Sequence, residues 1–132
     1  MLRGWFKEAR GGEKYKFGAW VFCVKSSTLY CNKQSLKLNS QTAELLEYFL
    51  LNAFKTISIE ELKLALWNKK EVSDASIYQA ISTLRKCLGF SGEPSGYLRT
   101  IPKMGYSWEL KTEKQFSPLH QFSKWLDRHA GE

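Results

Sequence analysis

Apolar positions along this chain recur with two periods, and each change of period marks an element. From Lys16 the texture is β-like. Phe17 to Val24 is rich in aromatic and β-branched residues, Lys25-Ser26-Ser27 reads as a turn, Thr28 to Cys31 as a second run, Asn32-Lys33 as another turn, and Gln34 to Leu38 alternates polar with apolar. This predicts an antiparallel meander of three or four strands. The period then lengthens. Ala43, Leu46, Phe49, Leu50 and Ala53, widened by Leu45, share one helical face behind a cap at Asn39 or Ser40, which predicts a central core helix. Ser58 and Glu61 form a capping box for a second helix with apolar positions Leu62, Ala65 and Leu66, closed by Trp67, and Ile57 just before it can add a short strand contact. Ser73 or Asp74 opens a third helix, in which Ile77, Ile81, Leu84 and Leu88 form a core-facing stripe that Gly89 stops.

Opposite that stripe lie Ala75, Gln79, Ser82 and Lys86, flanked by Ser76 and Thr83. The face has no acid and no large apolar side chain. Small residues allow a backbone to approach closely, and Gln and Lys can hydrogen-bond base edges, so the face is suited to a DNA major groove. A Gly/Pro/Ser-rich loop, residues 90–96, leads to two β-like runs, Tyr97 to Ile101 and Tyr106 to Leu110, around Pro102-Lys103-Met104-Gly105. Arg99 and Lys103 give this hairpin positive charge suited to phosphates or a minor groove. The alternative for each is an ordinary solvated face and a hairpin that merely completes a sheet.

The ends are less patterned. Residues 1–14, broken at Gly11-Gly12, read as a leader or first edge segment. Residues 111–132 read as a tail with a short helix, since Leu119, Phe122, Leu126 and His129 fall at helical spacing. That helix would dock on the domain, meet a second copy or lead into a linker.

With 132 residues, 43% of them hydrophobic, the chain can bury one core, placed at residues 15–110. Its net charge of +7 favours a polyanionic partner, nucleic acid before an anionic membrane surface. No apolar run approaches the roughly 18 residues a membrane span requires, and the first residues lack the apolar core of a secretory signal, so a cytoplasmic protein is expected, nucleoid-associated if its polyanionic partner is DNA. A membrane contact enters only if the chain is a fragment of a longer anchored protein. Cys23, Cys31 and Cys87 are odd in number and include no C-x-x-C pair, which predicts buried free thiols rather than a disulfide framework or zinc site; Cys23 and Cys31 are candidates to face each other across paired strands. His120 and His129 have no matching ligands, and no phosphate loop, nucleophile motif or carboxylate pair appears, so neither an enzyme, a metal nor a cofactor is expected.

The order of elements, with ELKLALW at 61–67, ISTLRK at 81–86 and RTIPKMGY at 99–106, resembles the winged-helix DNA-binding domain of the OmpR/PhoB type, and within it the ToxR/CadC-like branch of transcriptional regulators. The resemblance runs from about Lys16 to Leu110. It implies an α+β winged helix-turn-helix: an N-terminal antiparallel β-meander, three helices and a C-terminal β-hairpin wing. It implies sequence-specific double-stranded DNA binding, with helix 74–88 in the major groove and wing 97–110 on the adjacent backbone or minor groove. Ala75, Ser76, Gln79, Ser82, Thr83 and Lys86 would then meet bases or phosphates, and Arg85 would lie near the backbone. Arg99 and Lys103 would serve the wing. Asn68, Lys69, Lys70 and Glu71 would correspond to a loop touching RNA polymerase, and two copies would pair on tandem half-sites. Met104 stands where the family turn often has Arg, which would leave the wing's charge to Lys103. The competing reading is a winged-helix protein-interaction module contacting RNA polymerase or a regulatory partner.

Overall fold

A computed structural model of the chain describes residues 14–67, 71–94 and 96–115. Four short strands open it: β1 (Lys14–Phe17), β2 (Trp20–Cys23), β3 (Thr28–Cys31) and β4 (Gln34–Lys37). The sequence pattern ran β1 and β2 together across Phe17–Val24. They are two strands because Gly18 takes φ +55 in a two-residue loop, which reverses the chain so that Phe17 pairs with Trp20. Asn32 and Lys33 both take positive φ and make the equally tight turn between β3 and β4.

Three helices follow, separated by a short strand: α1 (Ser40–Leu51), β5 (Thr56–Ile57), α2 (Ile59–Leu66) and α3 (Asp74–Leu88). Each begins at a side-chain cap. Asn39, Ser58 and Ser73 accept hydrogen bonds from the backbone N–H groups of Thr42, Glu61 and Ser76. Glu61 does not complete its capping box, because its carboxylate accepts the Tyr48 hydroxyl at 2.6 Å and so ties α2 to α1. Leu62 is the one fully buried residue of α2; Ala65, expected in the core, is exposed.

The chain closes with β6 (Leu98–Ile101), β7 (Gly105–Trp108) and β8 (Glu113–Gln115). β7 lies between β5 and β6, with Ile57 opposite Tyr106, so the short strand contact expected at Ile57 is present. β8 adds to the far edge of the meander beside β1, giving the order β4-β3-β2-β1-β8. The sequence reading had put these residues in the tail. All three side chains of β8 are exposed, so no apolar alternation announced the strand, which is held by backbone pairing. Beyond Gln115, the helix expected up to His129 lies outside the described residues, as does the leader up to residue 13.

One core joins the layers. Phe17 stacks on Trp20 and meets Trp108 of β7 edge-on at 5.2 Å, linking the two sheets. Leu45, Leu46 and Phe49 of α1 and Ile77, Ile81, Leu84 and Leu88 of α3 are essentially inaccessible, as the stripes required. The cysteines do not face one another. Cys31 lies opposite Trp20 on the buried side of the sheet, whereas Cys23 lies opposite Thr28 on the other side, because adjacent strand positions alternate faces.

Candidate nucleic-acid interface

Burying the Ile77–Leu88 stripe decides what α3 presents outward. Ala75, Ser76, Gln79 and Lys86 are exposed, while Ser82 and Thr83 are partly covered. Both ends of the helix are fixed. Asp74 in the first turn and Arg85 and Lys86 in the last suit the helix dipole. At the C-terminus the buried indole N–H of Trp20 donates to the Leu88 carbonyl at 3.0 Å, so the meander satisfies a group the helix leaves open. Two open grooves flank the outward face. One is bounded by Asn39, Thr42 and Trp67 against Gln79 and Thr83, the other by Tyr106 against Tyr78, Ser82, Arg85 and Lys86.

The hairpin of β6 and β7 stands along the second groove. Its turn is closed by the Met104 N–H donating to the Ile101 carbonyl at 3.0 Å, with Pro102 leading and Lys103 at φ +63. Gly105, at φ +138, lies against the end of β5: a Cβ there would sit 2.0 Å from the Ile57 carbonyl oxygen. That contact aims the turn. Lys103 and Met104 project into solvent.

The two arginines are engaged by the protein itself. Arg85 donates from Nε and Nη2 to the Leu98 carbonyl (3.2 and 2.7 Å) and from Nη2 to Thr100 Oγ1 (2.9 Å), with its guanidinium 5.5 Å from the centre of the Tyr106 ring. It therefore bolts α3 to the hairpin. Arg99 pairs with Glu109 at 3.3 Å on the hairpin but remains 66% exposed. Neither the clamp nor the pair was visible in the sequence, since both partners are set by the register of β6 against β7.

Two acids near the face share one cation. Asp74 and Glu60 line the groove beside the turn, and Lys63 reaches both, at 2.7 and 3.7 Å. The hydrogen bond to Asp74 holds the Lys63 ammonium above its ordinary pKa. Tyr78, 49% exposed between Asp74 and Ser82, did not stand out in the sequence because it belongs neither to the apolar stripe nor to the small and polar positions opposite it. Of the loop expected to touch polymerase, Glu71 is exposed and Asn68, Lys69 and Lys70 lie outside the described residues. Among the described residues, no cluster of His, Cys, Asp and Glu could hold a metal ion, and no helix is long and apolar enough to cross a membrane.

Residues 33–108 match the family described as "Transcriptional regulatory protein, C terminal". The chain belongs to this family of transcriptional regulators. It is similar to the cholera toxin transcriptional activator of Vibrio cholerae, 33% identical over 99 residues, which are 71% of this chain and 34% of that protein. The chain thus spans about a third of the length of that curated relative. Among solved structures it resembles the DNA-binding domain of Escherichia coli CadC, with TM-score 0.70 and 28% identity over 76% of this chain and 94% of that one. It also resembles the Klebsiella pneumoniae RstA DNA-binding domain in complex with the RstA box, with TM-score 0.62 and 21% identity over 73% and 96%. The fold is the OmpR/PhoB-type winged helix, with the β-meander, three helices and hairpin in the expected order.

Proposed function

We propose that this chain is the sequence-specific, double-stranded DNA-binding domain of a transcriptional regulator, with α3 in the major groove and the β6–β7 hairpin on the adjacent backbone or minor groove. One observation carries the reading: α3 buries its entire aliphatic stripe and leaves outward a face of Ala75, Ser76, Gln79 and Lys86, free of acids. B-DNA's major groove admits a helix whose outward side chains are small, and Gln and Lys at such positions can bond adenine and guanine edges. Lys103 is exposed on the turn, which supports reading it as a phosphate contact. The net charge of +7 supplies the long-range attraction. The relatives support this reading: the CadC structure is of a DNA-binding domain, and the RstA DNA-binding domain was solved in complex with the RstA box.

Selection from a random duplex library tests it. The protein should enrich one sequence class. On the enriched duplex, Gln79→Ala and Lys86→Ala should each cost about 1–3 kcal/mol and relax preference at particular base pairs. Lys103→Ala should weaken selected and scrambled duplexes alike and reduce the slope of log K against log salt by about one. Failure to enrich any sequence, with binding lost at moderate salt, would remove the proposal.

A further inference from the structure

The tip of the hairpin carries one cation between two apolar side chains. Pro102, Lys103 and Met104 are all exposed, Met104 by 62%. A turn meant only to hold phosphate has no use for an exposed thioether, and leaving one in water is mildly unfavourable. The tip is also firmly aimed. The Met104 N–H to Ile101 carbonyl bond closes it, and Gly105 seats its base against Ile57 and Ser58. It borders the same groove as Tyr78 and Asp74 at the start of α3, so anything lying along α3 passes in front of it.

We infer that Met104, backed by Pro102, is a specificity-determining apolar wedge that enters the DNA minor groove and partly unstacks one base step, while Lys103 holds the flanking phosphate. The inference rests on the DNA-binding reading above and adds to it what the wing recognises. Met and Pro are among the side chains that pry base steps apart, and a Met side chain is unbranched and adapts to the gap. An inserted cationic side chain would favour the stiff, narrow groove of A-tracts. An apolar one instead favours steps that open at low cost, the pyrimidine–purine steps TA and CA/TG. The wing therefore selects a deformable step next to the major-groove site, and the bound duplex is kinked there.

The test uses the full chain and the duplex enriched by selection, with 2-aminopurine placed at the step next to the major-groove site and bending read from circularly permuted fragments. Wild type should bend the duplex by tens of degrees and brighten the probe. Met104→Ala should lose both signals and roughly tenfold in affinity, as expected for one apolar side chain withdrawn from a buried site. Met104→Leu should keep most of both. Replacing the flexible step by AA should cost wild type the same factor and the alanine variant almost nothing. Met104 is exposed, so these variants keep the core intact; circular dichroism checks this. Unchanged bending and affinity in Met104→Ala would overturn the wedge while leaving the major-groove reading standing. A wild-type protein with no preference for the selected duplex over a scrambled one would overturn both, and Gln79→Ala on the same duplex tells the two failures apart.

Discussion

Single side chains explain why the hairpin and α3 act together. Arg85 donates three hydrogen bonds to Leu98 and Thr100 and lies against Tyr106, so its donors are engaged within the protein although no acid neutralises its charge. Arg85→Met should loosen the hairpin, seen as faster hydrogen exchange at Leu98 to Ile101, and should leave the salt slope of DNA binding unchanged. A slope lowered by about one would instead mean that Arg85 holds a phosphate. Gly105 permits no side chain: Gly105→Ala sets a Cβ on the Ile57 carbonyl at a backbone angle L-residues avoid, and should cost about 2–4 kcal/mol in urea unfolding. The cysteines differ for physical reasons. At Cys23 burial pushes the thiol pKa up, but hydrogen bonds from Ser26 and the charge of Lys14 outweigh it, and the net shift is downward. At Cys87 burial acts alone and the shift is upward. Only the thiolate attacks, so near neutral pH a disulfide reagent should label Cys23 before Cys87, with buried Cys31 last. Equal rates for Cys23 and Cys87 would contradict this.

The elements differ in how far they could be read from sequence. α1 and α3 were legible because a cap and a clean apolar stripe agreed, with Gly89 as a stop for α3; the structure buries both stripes, although α1 ends at Leu51, before the expected Ala53. The outward face of α3 followed directly from its buried one. The split between β1 and β2 was hidden because Gly18 sits inside an otherwise continuous apolar run, and one glycine does not reveal that its φ is positive. β8 was hidden because its side chains all face water. The partners of Arg85 and Lys63 were hidden because they lie on other elements and are fixed only once those pack. The same is true of the Trp20 bond to the Leu88 carbonyl, which joins residues 68 positions apart. Trp20→Phe should leave that carbonyl unmet and cost about 1–3 kcal/mol of stability beyond any packing loss.

For the molecule as a whole, the meander is a brace. It shares one core with α1 and α3, and its strand order places β8 at the edge beside β1. The indole N–H of Trp108 donates to Thr112 Oγ1 at 3.1 Å, a second tie beyond Leu110. Ending the chain at Leu110, where the sequence pattern placed the boundary, removes both. The shortened chain should be about 2–4 kcal/mol less stable by denaturant unfolding, from lost strand pairing and an unmet buried donor. Unaltered stability would mean that β8 and Thr112 add nothing to the domain.

The central claim is that the outward face of α3 reads base pairs. The most direct measurement is the salt dependence of affinity for the selected duplex and a scrambled control, for wild type and Gln79→Ala in parallel. The account predicts that Gln79→Ala narrows the gap between the two duplexes by about 1–3 kcal/mol while both salt slopes stay as they were. An unchanged gap, with Gln79→Ala discriminating as well as wild type, would contradict it.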